Sequence, residues 1–241
     1  MSMSKRKVTC VIPAHNEGEG IQNTLKEIDS ATSNAIDLTI FVSEDGSTDN
    51  TRANVLETAG EIKSSIIILS NESGRLGYSK AVQQGILNTA TEIIWFMDSD
   101  GQYFPEDVLL LIERLTPGTV VVGYRNPRAD GFNRKFFSSL FGIAYRMFGF
   151  PKRRDPSSPF VVAYLEDIKN IATRDFHLNY GYWWEFQARV AAAGLSVVEL
   201  PVRHRVRFAG ETQVYTPTKL PKIVSTHLLG LKRLRQELGE Q

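Results

Sequence analysis

The sequence predicts an α/β fold with a mostly parallel sheet covered by helices on both faces. Three observations carry this. Short apolar runs rich in Val and Ile recur through the first 125 residues, and segments of helical periodicity separate them. The runs lack strict polar alternation, as strands buried on both faces require. Two of the runs end in acidic turns, Glu44-Asp45-Gly46-Ser47-Thr48-Asp49 and Asp98-Ser99-Asp100-Gly101. In such sheets ligands bind outside the carboxyl ends of the strands.

The first strand spans 8–12 and is stopped by Pro13. A loop from Ala14 to Gly20 leads into a helix at 21–30, with Ile21, Leu25 and Ile28 inward. The second strand is 38–42, and Ser47-Thr48-Asp49-Asn50 caps a helix at 51–59. A third strand at 66–69, a Gly-bearing loop at 74–77 and a helix at 79–88 follow. The fourth strand is 93–97. Pro105 opens the next helix, and 120–123 is the fifth strand. The second half is aromatic between Phe132 and Phe150, then gives a helix at 184–193, a strand at 196–200 and a helix at 221–238. No repeat or low-complexity linker divides the chain. It reads as one domain over 1–241, with a nucleotide-binding half (1–125) and an acceptor-facing half (126–241).

The 241 residues carry 28 Lys and Arg against 27 Asp and Glu. No global field therefore argues for nucleic acid, although Arg203-His204-Arg205-Val206-Arg207 is a local basic patch. A single cysteine, Cys10 in an apolar run, excludes a disulfide framework and a zinc cluster. No apolar stretch reaches the ~18 residues that span a bilayer. The basic start is not followed by a long apolar core, so a secretory signal is not expected. The expected location is the cytoplasm, peripheral at a membrane surface.

Asp98 and Asp100, one residue apart where a strand opens into a loop, form a hard-oxygen pair suited to Mg²⁺ or Mn²⁺ and hence to phosphate. Gln102 adds a third oxygen or is a turn amide. Glu17 and Asp45 offer acceptors to a base or ribose, or cap helices. Lys80 pairs with phosphate or is a solvated lysine. The absence of Gly-x-Gly-x-x-Gly after the first strand disfavours a dinucleotide oxidoreductase.

These blocks, in order, resemble family 2 glycosyltransferases, inverting enzymes of the GT-A fold: Val11-Ile12-Pro13-Ala14-His15-Asn16-Glu17, Glu44 to Asp49, Gly77 to Gly85, and Asp98-Ser99-Asp100-Gly101-Gln102. The resemblance implies a mixed, mostly parallel sheet. It implies nucleoside contacts from Pro13, Ala14, Glu17 and Asp45. It implies a metal and diphosphate site at Asp98, Ser99, Asp100 and Gln102. Gly123-Tyr124-Arg125, Arg134-Lys135-Phe136-Phe137-Ser138, Glu199-Leu200-Pro201-Val202 and the segment from Arg207 to Thr212 resemble blocks of dolichyl-phosphate mannose synthases and related polyprenyl-phosphate transferases. There the acceptor is a lipid phosphate, so Arg125, Arg134, Ser138 and Arg207 are expected to bind it, with Asp100, Arg125 and Arg207 serving catalysis. The sequence departs from that pattern at Asp155-Pro156-Ser157-Ser158-Pro159-Phe160-Val161, where Pro159 and Val161 replace glycine and arginine. A saccharide hydroxyl acceptor would need a general base, for which Glu185 is the first candidate and Asp155 the second; a non-catalytic nucleotide-sugar-binding protein is the remaining alternative. The aromatic segment and the last helix are lipid-facing or pack on their own domain, and a membrane-anchoring partner subunit is compatible with the pattern.

Overall fold

The computed structural model describes residues 5–71, 74–129, 132–178, 181–207 and 220–239, with side chains for all of these except 132–136 and 220–222. Strands β1 (Lys7–Ala14), β2 (Asp37–Glu44), β3 (Ser65–Ser70), β4 (Ile93–Phe96) and β5 (Thr119–Arg125) alternate with helices α1 (Ile21–Thr32), α2 (Thr51–Ala59), α3 (Tyr78–Asn88) and α4 (Asp107–Glu113). Then come α5 (Phe132–Met147), β6 (Val161–Tyr164), α6 (Leu165–Ala172), α7 (Tyr182–Ala192), β7 (Ser196–Val202) and α8 (Leu220–Gly239).

The sheet runs in the order β3-β2-β1-β4-β6-β5-β7. Its strands are parallel except β6, which lies antiparallel between β4 and β5. Alternate residues bury on opposite faces, as the two-residue period of a strand demands. Ile12, Ile40 and Trp95 pack with Leu25, Val55 and Leu111 of α1, α2 and α4. Val11, Phe41, Ile94 and Phe96 pack with Val82, Ile168 and Phe186 of α3, α6 and α7. Gly85 lets α3 lie directly on β1: a Cβ there would fall 2.3 Å from Val11 Cγ1.

Two features depart from the expected elements. Pro13 does not stop β1, which continues to Ala14 beside Glu44. β4 ends at Phe96, opposite Val11, so the N–H that Pro13 lacks leaves no ladder bond unmade on that side. β6 and α6 were not expected. β6 is only four residues long and buried, a length at which periodicity carries no signal.

A third core cluster lies outside the sheet. Phe141 and Tyr145 of α5 pack edge-on against Trp184 of α7, at 4.6 and 5.1 Å between ring centroids, and Leu231 and Leu234 of α8 complete it. The aromatic segment therefore turns one face into its own protein. Leu140, Ile143 and Met147 of the same helix remain exposed. Among the described residues no helix is long and apolar enough to cross a membrane.

Candidate active site

The carboxyl ends of β1, β2 and β4 lie side by side, and their following loops form one acidic crevice. The loop after β1 is stitched to the turn after β2. Asn16 accepts the Thr48 N–H on Oδ1 (2.8 Å), Glu17 donates its N–H to Thr51 Oγ1 (2.8 Å), and Gly18 donates to Asp49 Oδ2 (3.0 Å). Asn16 holds φ +54°, a left-handed conformation that asparagine tolerates better than most residues. Ala14 closes the floor by accepting the Asp45 N–H at 2.9 Å. Pro13 lies one residue before it in β1.

The Asp45 carboxylate is buried and accepts the backbone N–H groups of Leu76 (2.6 Å) and Gly77 (2.7 Å). Its oxygens thus hold the loop before α3 rather than opening toward a ligand. Gly46, at φ +66°, is needed there because a Cβ would sit 2.9 Å from the Arg75 nitrogen.

Asp98 follows β4 and accepts a hydrogen bond from the Tyr78 hydroxyl at 2.8 Å. Tyr78 in turn accepts the indole N–H of Trp183 at 2.8 Å. Burial and the Asp98 charge push the Tyr78 hydroxyl well above its usual range, so it stays a donor. Asp100 accepts the Gln102 N–H at 3.2 Å. Arg207 reaches across from the segment after β7, with Nη2 2.8 Å from Glu17 Oε1 and Nε 3.6 Å from Asp100 Oδ2. Burial raises the Glu17 carboxyl, Arg207 opposes that, and Asp100, Asp98 and Asp49 add like charge; the outcome is about 7. Arg207 thus faces both Glu17 and Asp100 across the crevice.

The donor set decides whether a divalent cation suits the site. Among the described residues no three His, Cys, Asp or Glu side chains are grouped to hold a metal by themselves. Mg²⁺ is commonly held by one or two carboxylates plus substrate phosphates, and Asp98 and Asp100 match that donor set. Gln102 contributes less freely than expected, because its side-chain amide donates to the Arg205 carbonyl at 3.2 Å. Ser99 is buried, and its carbonyl accepts the Thr24 hydroxyl at 3.0 Å, which anchors the Asp98–Asp100 loop to α1.

Several expected residues lie elsewhere. Lys80 is ion-paired with Asp175 at 2.9 Å on the surface. Arg125 is buried and bidentate to Asp155, at 2.5 and 2.7 Å, and also donates to Ser157 Oγ at 2.6 Å. Burial alone would raise Asp155; the Arg125 hydrogen bonds and charge, with Arg128, outweigh it and hold the carboxyl at about 2. Arg125 is therefore committed to an internal ion pair and does not present its guanidinium to an acceptor. Ser138 receives a hydrogen bond from Arg128 Nη1 at 3.3 Å. The Arg134 side chain and residues 208–212 lie outside the described residues.

Glu185 does not face the crevice. It is fully buried; Oε2 accepts the His177 and Leu178 N–H groups, and Oε1 accepts Arg189 at 2.7–2.9 Å. Arg189 continues to Glu237 of α8. A carboxylate so fully used ties α7 to α8 and is not placed to take a substrate proton. The basic patch is likewise internally matched: Arg203 pairs with Asp107 and Glu106, Arg205 with Glu27, and Arg207 with Glu17. Sequence reading missed Tyr78 as the donor to Asp98. The two are 20 residues apart, and no spacing rule connects them.

The sheet that carries these acids at its strand ends has the GT-A glycosyltransferase architecture. Residues 9–169 match the model of Glycosyl transferase family 2, and the chain belongs to that family. It is 26% identical over 242 residues to a dolichol-phosphate mannosyltransferase of Pyrococcus furiosus, covering 97% of this chain and 65% of that protein. It is 30% identical over 137 residues to an undecaprenyl-phosphate 4-deoxy-4-formamido-L-arabinose transferase of Klebsiella pneumoniae, covering 56% of this chain and 42% of the relative. The chain thus spans less than two-thirds of the length of either. The fold is similar to that of glucosyl-3-phosphoglycerate synthase from Mycobacterium tuberculosis, solved with Mn²⁺, UDP and glucosyl-3-phosphoglycerate. The TM-score is 0.68 at 18% identity, over 95% of this chain and 80% of that one.

Proposed function

We propose that this protein is a metal-dependent inverting glycosyltransferase. It would move a sugar from a nucleoside diphosphate sugar, of the GDP-mannose or UDP-glucose type, to a polyprenyl phosphate. The observation that carries the reading is the gathering of Glu17, Asp98 and Asp100 at the ends of β1 and β4, faced by Arg207 and close enough for the two aspartates to raise the Glu17 carboxyl. The names of the relatives support the lipid phosphate acceptor, and the Mn²⁺ and Mg²⁺ complexes of the structural neighbours support the metal.

Asp98 and Asp100 would hold Mg²⁺ or Mn²⁺, which when bound supplies positive charge to the leaving diphosphate. Tyr78 fixes the Asp98 carboxylate, and Ser99 anchors its loop. Pro13, Ala14 and Glu17 border the nucleoside side, and Asp45 acts indirectly by holding the loop before α3. Lys80 remains available to phosphate only by exchanging its exposed pairing with Asp175. Arg207 would orient an acceptor phosphate. Ser138, with Arg128 beside it, and Arg134 would extend that role along α5. A phosphate oxygen is already ionised at neutral pH, so the displacement at the anomeric carbon needs no general base. This agrees with the engagement of Glu185 in the interior. The reaction would take place at the cytoplasmic face of a membrane, with the protein peripheral.

The test is transfer of labelled sugar from a panel of nucleotide sugars to a polyprenyl phosphate extract, with Mn²⁺ or Mg²⁺ and with EDTA. Organic-extractable product that disappears with EDTA is expected. Donor hydrolysis without lipid product would overturn the acceptor, and product formed equally in EDTA would overturn the metal.

A further inference from the structure

After β7 the chain passes along the carboxyl edge of the sheet, with arginines at a spacing of two residues. Arg203 pairs with Asp107 and Glu106, Arg205 with Glu27 of α1, and Arg207 with Glu17. The three are not equivalent. Arg203 is 52% exposed and meets its acids in water, where such pairs contribute little.

Arg205 is bound into the loop that carries the paired aspartates. Its Nε donates to the Gly101 carbonyl at 2.7 Å, and its Nη2 pairs with Glu27. Its guanidinium lies over the Phe104 ring at 4.7 Å. Its backbone N–H donates to the Gln102 carbonyl at 2.9 Å, and its own carbonyl accepts the Gln102 side-chain amide at 3.2 Å. One residue earlier, His204 pairs with Tyr103 in a short antiparallel bridge and meets that ring edge-on at 5.2 Å. Side chain and backbone thus hold residues 204–205 against residues 101–104, and Glu27 ties both to α1.

Arg207 follows two residues on, with Nη2 2.8 Å from Glu17 Oε1 and Nε 3.6 Å from Asp100 Oδ2. A long side chain gives up rotamer freedom to keep such a place, and does so more readily when its backbone is already fixed. We propose that Arg205 is the positioning residue for Arg207. Its grip on Gly101, Gln102 and Phe104 sets how far the chain extends over the crevice, and so keeps the Arg207 guanidinium between Glu17 and Asp100. The consequence for turnover rests on the proposed lipid-phosphate reaction, in which Arg207 orients the acceptor; the placement of Arg207 does not.

The experiment has two readouts on the whole protein. The first is the Arg207 Nε–Hε resonance in ¹⁵N spectra, assigned by its loss in Arg207→Gln. Arg205→Met keeps an unbranched stem over Phe104 and loses the charge and the hydrogen bonds. It should shift the Arg207 resonance to the position of solvated arginines, whereas Arg203→Gln should leave it in place. Arg205→Lys, which keeps the charge without the planar fork, should shift it partway and serves if Arg205→Met fails to fold. The second readout is transfer to polyprenyl phosphate. Arg205→Met should lower kcat about tenfold, since a displacement of about 1 Å can cost about 100-fold. The KM for donor should hold, because Thr24 still anchors the aspartate loop at the Ser99 carbonyl, at 3.0 Å. Arg205→Met/Arg207→Gln should be no worse than Arg207→Gln alone. An Arg207 resonance that ignores both Arg205 variants would overturn the proposal. So would additive losses in kcat, or a loss confined to the KM for donor, which would place the action of Arg205 on the aspartate loop instead. An Arg207 resonance that answers to Arg205 in a protein that glycosylates no lipid phosphate would refute the proposed reaction alone.

Discussion

The acidic crevice and the α5–α7–α8 layer use charge in opposite ways. In the crevice Glu17, Asp98 and Asp100 crowd together against Arg207, and the Glu17 carboxyl is driven up to about 7. In and beside the helical layer the acids are matched within the protein: Glu185 and Glu237 by Arg189, and Asp155 by Arg125. Hydrogen bonds from Arg189, opposed by partial burial and aided by His177, hold Glu237 at about 2. Acids crowded at the sheet edge are placed to meet a ligand. Charge matched inside the fold supports the fold. Removing an acid should therefore harm activity in one region and stability in the other.

The largest effect is expected in the crevice. Asp100→Asn should lower kcat/KM for metal-dependent transfer by about 1000-fold or more, because it removes a charge that would hold the cation on the leaving diphosphate. Its thermal midpoint should hold or rise, since like-charge pressure on Glu17 falls. A variant that unfolds instead would break the contrast.

Asp155→Asn makes the converse case. It leaves Arg125 buried without its counter-charge, which costs about 3–5 kcal/mol. Denaturant unfolding should register that loss, while the KM for donor changes little. If the variant is as stable as wild type but cannot use acceptor, Arg125 belongs to the site after all.

Acid should loosen the helical layer before the sheet. His227 of α8 is buried against Phe141, at 4.7 Å between rings, and burial lowers its pKa to about 4. The folded state thus prefers neutral imidazole, whereas the unfolded chain takes up a proton near pH 6.5. Stability from this group is complete above about pH 6.5 and falls as pH drops toward 4, by about 3 kcal/mol in all. His227→Gln should flatten that slope in thermal unfolding between pH 4 and 7. An unchanged slope would show that another group governs it.

The same contrast explains what the sequence made legible. The parallel strands and the acids at their ends share one short stretch of chain each, so local pattern located Glu17, Asp45, Asp98 and Asp100 at the carboxyl edge of the sheet. Their individual partners depended on residues far along the chain. Nothing local announces that Asp45 will spend both oxygens on Leu76 and Gly77, or that Asp155 will capture Arg125 across 30 residues. Periodicity likewise could not divide α5 between Trp184 on one side and solvent on the other. Charge type is local information, whereas charge compensation is tertiary.

Tyr78 is where the two regions touch, and it offers the finest test. Its hydroxyl donates to Asp98 and accepts from Trp183 of α7, so the helical side sets the orientation of a crevice carboxylate. Tyr78→Phe deletes the hydroxyl's bonds to Asp98 and Trp183 and leaves the charge of Asp98 intact. Outer hydrogen bonds to metal-binding carboxylates are worth about 10–100-fold in metal affinity. Mn²⁺ titration followed by electron paramagnetic resonance should therefore show about tenfold weaker binding in the presence of nucleoside diphosphate. Trp183→Phe should show a smaller loss in the same direction, because it acts through Tyr78. The double variant should be no worse than Tyr78→Phe, since both changes interrupt one relay. Additive losses would mean that Trp183 supports the crevice through packing against Phe96 rather than through the hydroxyl.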